Sequence, residues 1–336
     1  MVAEAASTGR SSEGGPSLLS TLPKELPLDF LKDITLGFSD DRILSKGAFG
    51  TFYKGILENG QEVAVKKLEG NVRLTAGEKF LSAATNLMAL QHDNIVKLLS
   101  CCSEAKKKVV EHKGRYILVD IEECVLCYEY VPKGSLQDYL SDDTNRTDWD
   151  THFKIIKGIC QGVHFLHEGE FGRIVHEEEF GRIAHLDLQP ANVLLDDNMV
   201  PKIADFGLSR FFNLEQSRLY TMNIVGLKGY MAPEYLYHGE ISCQCDIYSL
   251  GVLIIEITTR EKNCSNDKDL SGREFITRIR QTWTDEHIAS KYVSLDADRL
   301  QQVKACIEIG LRCVDVAQKN RPSIVQVVDR LHGRCA

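Results

Sequence analysis

The sequence predicts an α+β fold in two parts, and three observations carry that prediction. Short strands with alternating apolar residues, EVAVKKL at 62–68 and VLCYEYV at 125–131, lie in the first part of the chain. Helical stripes fill the remainder: Ile155, Ile159, Val163 and Leu166 recur at helical spacing, and so do Val303, Ile307, Gly310 and Val314. The run CDIYSLGVLIIEITTR at 245–260 is apolar nearly all round and predicts a buried helix. Between strands and helices, HLDLQPANVLLDDNMVPKIADFG at 185–207 reads as a loop, a short strand, a turn, a second strand and a metal-binding loop. At 336 residues the chain is long enough for two lobes with separate cores.

Composition narrows the function. Apolar residues make up 43% and charged residues 26%, an ordinary globular balance. The net charge of -8 argues against general affinity for nucleic acid or an anionic membrane. Eleven scattered cysteines, no secretory signal and no long apolar run predict a reduced, cytoplasmic setting with no membrane span. Val2 argues against N-myristoylation and the final GRCA against prenylation. Cys124 and Cys127 form a CxxC within a strand-like run, but Cys243 and Cys245 have the wrong spacing for a second zinc pair. Structural thiols are the expectation.

In chain order, residues 1–28 are rich in Ser, Gly, Ala and Pro without apolar period, which predicts a flexible tail. Phe30, Leu31 and Ile34 then fall at helical spacing. SKGAFGTFYKG at 45–55 follows, and its glycines let backbone close over phosphate oxygens. A helix is expected over about 76–90. Residues 103–123, with Lys106 to Lys108 at one end and Asp120, Glu122 and Glu123 at the other, read as a solvated loop. A core helix is expected from about Trp149 to His167. After it EFGRIVH at 170–176 recurs as EFGRIAH at 179–185, a nine-residue local duplication.

The central stretch carries the chemistry. Asp187 and Asn192 lie five apart, so one can hold an incoming hydroxyl while the other ligates a cation, and Asp205 supplies a second carboxylate. Phosphoryl transfer needs this combination of positioning and charge neutralisation. The stretch resembles the catalytic loop and DFG segment of protein kinases, and the lead-in at 28–44 resembles that of plant receptor-like cytoplasmic serine/threonine kinases. That resemblance implies a bilobal protein kinase fold. A small β-rich N-lobe with one main helix would span about 29–131, a larger helical C-lobe about 132–331, and a short tail 332–336.

The same resemblance assigns roles. Gly47 and Gly50 match the second and third glycines of a nucleotide loop, with Ser45 at the first. Lys66 stands at the nucleotide-pairing lysine, Tyr128 at the gatekeeper, and Glu129 to Val131 offer backbone groups to adenine. Asp187 is the base-like catalytic carboxylate, Gln189 sits beside it among the catalytic residues, and Asn192, also catalytic, and Asp205 are magnesium ligands. Residues 205–234 match an activation loop ending in GLKGYMAPE, with Ser209, Ser217, Tyr220 and Thr221 as phosphosites. Asp246 would brace the catalytic loop, and Arg321 would be the buried partner of Glu234. The implied cofactors are ATP and Mg2+, and the implied partners a protein substrate and an upstream receptor kinase.

Several positions depart from the kinase pattern. Ala83 replaces the glutamate that pairs with the strand lysine, and Glu78, five residues earlier, projects about 140° away on a helix. Ser45 obstructs one backbone approach. Leu186 removes the arginine that pairs with a phosphorylated activation loop. Gln189 replaces a lysine that touches the transferred phosphoryl, and Leu227 the threonine that braces it. Losses at the reaction centre are each worth about 10² to 10³ in rate. They predict impaired Ser/Thr phosphotransfer, with a nucleotide-binding pseudokinase scaffold as the alternative. In the first repeat copy Glu178 and Ile183 occupy the base and ligand positions, so only the second copy is catalytic, and the first is expected to loop out beside it.

Overall fold

Alternating apolar residues in the first unit build a five-stranded antiparallel sheet. The computed structural model describes residues 19, 22–47, 49–69, 78–112, 114–142, 149–169, 180–213, 216–263 and 273–334. Two units divide the chain, Met1–Ala84 with Leu98–Tyr130, and Thr85–Lys97 with Val131–Ala336. Helix α1 (Leu28–Ile34) precedes β1 (Ile43–Gly47), β2 (Gly50–Ile56) and β3 (Glu62–Leu68). Then come α2 (Glu78–Met88), within which the division falls, β4 (Leu98–His112) and β5 (Arg115–Glu129). The strand order is β1-β2-β3-β5-β4.

The two faces of this sheet differ. Val63, Val65, Val125 and Cys127 form one core with Leu28, Leu31 and Ile34 of α1, closed by Leu26, Leu57 and Cys102. Burial in that core pushes the Cys127 thiol up to about 12. The opposite face carries Phe52, Lys66, Leu126 and Tyr128, since Phe52 pairs with Lys66, Lys66 with Leu126, and Ala64 with Tyr128. Glu104 accepts from the backbone N of Leu28 at 2.7 Å and caps α1 from a strand 76 residues away.

Two sequence expectations change here. Composition assigns residues 1–28 to a tail, yet Leu26 N donates to Cys101 O at 2.9 Å and Cys101 N to Lys24 O at 3.0 Å. Leu26 and Leu28 enter the core, so apolar anchoring begins before helical periodicity does. The loop expected at 103–123 is a β-hairpin: β4 and β5 pair continuously from Ser100 with Cys127 to His112 with Arg115. His112 and Arg115 are the last register partners of the pair, and Gly114 beside them is at φ 75°, a left-handed conformation that glycine adopts without cost. The hairpin's β-branched residues favour strand, and a two-stranded ribbon accepts charges on both faces, so the lysine and acid runs do not exclude it.

The second unit is mainly helical. After α3 (Leu136–Ser141), capped reciprocally by Ser135 and Asp138, come α4 (Trp149–Glu168), β6 (Phe180–Ala184), β7 (Val193–Leu195), β8 (Pro201–Ile203), β9 (Arg210–Asn213) and β10 (Leu219–Tyr220). The chain continues through α5 (Pro233–His238), β11 (Glu240–Ile241), α6 (Cys243–Thr259), α7 (Arg273–Thr282), α8 (Asp285–Lys291), α9 (Ala297–Cys313) and α10 (Ile324–Leu331). The core stripe expected on α4 is buried, and α6 is buried continuously from Cys245 to Thr259. Helix α9 packs against α6 so closely that a Cβ at Gly251 would lie 2.9 Å from Gly310 O. Arg321 donates to both Glu234 oxygens, at 2.6 and 2.8 Å, in a buried bidentate pair. The second repeat copy forms β6, paired with β9. The first copy, 170–176, lies outside the described residues.

Candidate active site

A buried carboxylate organises the loop that bears Asp187. Asp246 is wholly buried near the start of α6. Its Oδ1 accepts from Leu186 N at 2.8 Å, and its Oδ2 accepts from His185 N at 2.8 Å and lies 2.9 Å from His167 Nε2. These bonds hold Leu186 at φ 66°, a left-handed conformation that costs a non-glycine residue roughly 1–2 kcal/mol. The His185 ring fastens the far side of the loop. Its Nε2 lies 3.0 Å from Ala204 O, and Phe206 meets the ring edge-on at 4.9 Å.

Asp187 is thereby presented with its own hydrogen-bond set. Its Oδ1 accepts from Gln189 Nε2 at 2.8 Å, and its Oδ2 from Asn192 Nδ2 at 2.7 Å. Asn192 Nδ2 also reaches Asp187 O at 2.8 Å, which leaves its Oδ1 as the atom able to face a cation. Burial pushes the Asp187 carboxyl above its ordinary 3.8, and the Asp205 charge adds to the rise. His185 and the donated bonds of Asn192 and Gln189 oppose it. Asp205 follows in the left-handed region at φ 62°, its carboxylate accepting from Gly207 N at 3.3 Å. Ala204 N bonds Asn192 O at 2.8 Å, so Asn192 and Asp205 lie on connected backbone.

An amide oxygen and a carboxylate are hard ligands that suit magnesium, which is commonly held by one or two carboxylates together with phosphate oxygens. Among the described residues no group of three or more His, Cys, Asp and Glu side chains forms an all-protein metal cage. The amide oxygen of Asn192 and the carboxylate of Asp205 are the kind of donors that a nucleotide-bound Mg2+ takes.

The candidate nucleotide residues of the first unit lie on its sheet. Ser45 and Gly47 are on β1 and Gly50 opens β2, with Gly47 and Gly50 as register partners. Gly50 has φ 143°, and a Cβ there would stand 2.2 Å from Lys67 O, so only glycine fits. Glu129 ends β5, half-buried opposite Val63, and Val131 begins the long run of the second unit, buried. Lys66 is 2% exposed. Its Nζ lies 4.9 Å from the Phe52 ring centre and 6.0 Å from that of Phe49. Phe52 was not among the residues the motif reading singled out. The signal was present, because the glycine-rich pattern G-x-G-x-x-G-x-V ends in valine and this chain has Phe52 there.

The departures fall as follows. Ala83 is half-buried on α2; the Glu78 side chain lies outside the described residues. Leu227 is 47% exposed. Its neighbour Gly226 is at φ 130°, and a Cβ there would lie 3.4 Å from Asp187 Oδ1, so Gly226 and Gln189 stand beside the same carboxylate. Past them, the Tyr230 hydroxyl donates to Glu256, and Asn263 Nδ2 donates to Gly229 O at 2.9 Å. Upstream, β10 pairs with β11, and Thr221 N bonds Gly239 O at 2.9 Å.

The family model for the protein kinase domain matches residues 38–331. Cysteine-rich receptor-like protein kinase 8 of Arabidopsis thaliana is 36% identical over 324 residues, covering 95% of this chain and 44% of that protein. A G-type lectin S-receptor-like serine/threonine-protein kinase of the same plant is 36% identical over 312 residues, with 91% and 34% covered. The chain thus spans less than half the length of these relatives.

Proposed function

The chain belongs to the protein kinase family, and from that premise we propose that it transfers the γ-phosphoryl of ATP to Ser or Thr of a protein substrate, at an impaired rate. The observation that carries this reading is Asp187: a half-buried carboxylate with a raised pKa, held on both oxygens within a loop fastened by Asp246. Asp187 orients the attacking hydroxyl and accepts its proton. Asn192 and Asp205 hold magnesium, and Gly47, Gly50 and Lys66 receive the phosphates, with the Ser45 side chain at the rim. Backbone groups from Glu129 to Val131 receive the adenine. Bound magnesium supplies charge neutralisation at the phosphate oxygens. The kinase domain is proposed to span about 29–331, in a cytoplasmic setting, with an upstream receptor kinase as partner. The serine/threonine class is supported by relatives bearing that name.

Impairment follows from Gln189. Its amide donates to Asp187 itself, at 2.8 Å, and offers no positive charge to a transferring phosphoryl group. That bond also favours a second reading, a nucleotide-binding pseudokinase scaffold, because it engages the base with a neutral neighbour. ATP turnover by the purified protein, with magnesium and a generic basic substrate beside an Asp187→Asn control, decides between them. Turnover that Asp187→Asn removes supports the enzyme; ATP binding with no turnover above that control supports the scaffold.

A further inference from the structure

A groove of about 760 Å³ opens in the second unit, walled by α9, by α10 and by the turn that joins them. Its volume lies within the roughly 300–1,000 Å³ typical of ligand sites. The inner lining is apolar, with Ile309, Val327 and Leu331 buried beside Phe153 of α4. Cations make the rim. Arg312, Lys319, Arg330 and Arg334 line the groove and are exposed, against two lining carboxylates, Asp298 and Glu308. On a chain of net charge -8 this is a local reversal of sign, and positive charge gathered in a concavity draws anions to it.

The rim is placed by bonds of the fold. Arg321, also in the lining, is committed to Glu234 and donates to Asp315 O at 2.8 Å, which fixes the turn that bears Lys319. From α10, Arg330 donates to Glu308 Oε1 of α9 at 2.5 Å, so a carboxylate of the protein already stands where an incoming anion would. Both members of this pair are exposed, and exposed pairs contribute little stability, so a stronger anion can take the place of Glu308 at small cost. A phosphate monoester is such an anion, with more charge than a carboxylate and three acceptor oxygens suited to guanidinium groups. The apolar lining asks in addition for a ligand with an apolar part beside its phosphate, which a peptide supplies and a bare anion does not. We propose that this groove docks a segment of a protein partner that carries phosphoserine or phosphothreonine next to an apolar residue. The phosphate engages Arg312, Lys319 and, in place of Glu308, Arg330, while the apolar residue lies against Ile309 and Leu331. None of the candidate catalytic residues lines the groove, so docking does not depend on phosphotransfer by this chain.

The test uses the full chain and a short fluorescein-labelled peptide in which two phosphoserines precede a leucine. Its companions are an unphosphorylated twin, a phosphorylated twin with glycine for the leucine, and inorganic pyrophosphate as competitor. Anisotropy reads the dissociation constants, and melting temperature checks folding. The phosphopeptide is expected to bind about tenfold or more tightly than the unphosphorylated twin, and to weaken as salt rises. Arg312→Gln with Lys319→Gln should weaken it about tenfold, whereas Glu308→Gln, which releases Arg330, should tighten it about threefold. Opposite signs from neighbouring exposed positions cannot arise from unfolding. Turnover on an unphosphorylated basic substrate should be the same in all variants. Phosphopeptide binding by a chain that shows no turnover supports the docking site while the kinase reading fails. Equal affinity for the phosphorylated and unphosphorylated peptides, or an affinity indifferent to both variants, would overturn the proposal. So would a glycine twin and pyrophosphate that bind as well as the phosphopeptide, since the groove would then hold a small anion and no peptide.

Discussion

The loop from His185 to Asn192 and the segment from Leu219 to Leu227 belong to one unit and are held in opposite ways. The loop is pinned from below by Asp246, through two backbone nitrogens and His167, and Asp187 and Asn192 then bond each other. The segment is held mainly through backbone, by the two-stranded pairing of β10 with β11. Much of its side-chain surface is exposed: Tyr220 is 71% exposed and Met222 fully so. Buried polar networks are costly to disturb and exposed apolar side chains are not. The loop therefore maintains geometry even where Gln189 and Leu186 have changed its chemistry, while the segment is open to change.

The largest effect should come from breaking the pin. Asp246→Ala strands the nitrogens of His185 and Leu186 and removes the partner of His167, with each buried donor worth about 1–3 kcal/mol when unsatisfied. A loss of about 3–5 kcal/mol is expected in urea unfolding. Met222→Ser, at the exposed segment, should change stability by less than about 0.5 kcal/mol. Equal losses in the two variants would erase the contrast.

Next in size is the pair that joins the two regions. Gln189 touches Asp187 Oδ1 and Leu227 follows Gly226, which backs onto the same oxygen. Gln189→Lys with Leu227→Thr should raise kcat by about 10², the order of one restored charge-stabilising donor, and by more than either change alone. Deleting residues 170–178 from the same variants tests whether the first repeat copy interferes. A double variant that stays inactive after this deletion, while binding ATP, establishes the scaffold reading.

What was legible in the chain follows the same division. Asp187, Asn192 and Asp205 stand out in the sequence because phosphoryl-transfer chemistry calls for such groups at fixed short spacing along one stretch, and the structure joins Asp187 to Asn192 by a hydrogen bond. Asp246 and the Glu234–Arg321 pair were reachable only through resemblance, since 60 and 87 residues separate the partners and no local pattern links them. The hairpin of β4 and β5 was misread because lysine and acid runs suit either a loop or a ribbon wet on both faces, and only register distinguishes them. Leu26 was missed since a single apolar anchor has no period. The bond from Gln189 to Asp187 was invisible because a substitution seen in sequence shows what charge is lost and not where the new amide points.

A smaller effect concerns pH. Burial raises the Asp187 carboxyl above 3.8, so the folded protein binds that proton more tightly than the unfolded chain. The stabilisation from this proton is complete below 3.8 and is lost as pH rises through the raised folded value. Asp187→Asn should therefore gain melting temperature relative to the parent as pH climbs through that window, with the gap closing towards pH 3.8. Turnover of the parent should rise over the same window as the base ionises. A melting difference independent of pH would mean that the carboxyl titrates no differently in the folded chain.

The smallest expected effect lies in the segment. Phosphorylation orders a loop when a nearby cation can form a charge-assisted pair with it, and such pairs are strong only where the cation is already placed. Leu186 is the residue that would have carried that cation, and its side chain is buried and apolar. Thr221, the candidate acceptor, is already tied by local bonds. Its hydroxyl accepts from Asn223 N at 3.1 Å and its nitrogen bonds Gly239 O. A negative charge there thus releases a local turn without gaining the pair that orders the activation loop. Thr221→Glu is expected to change turnover less than about tenfold, equivalent to about 1.4 kcal/mol. Placing Leu186→Arg in the same chain should make Thr221→Glu consequential, and if the mimic alone already exceeds tenfold, some other cation of the second unit is its partner and the segment is less passive than its exposed side chains imply.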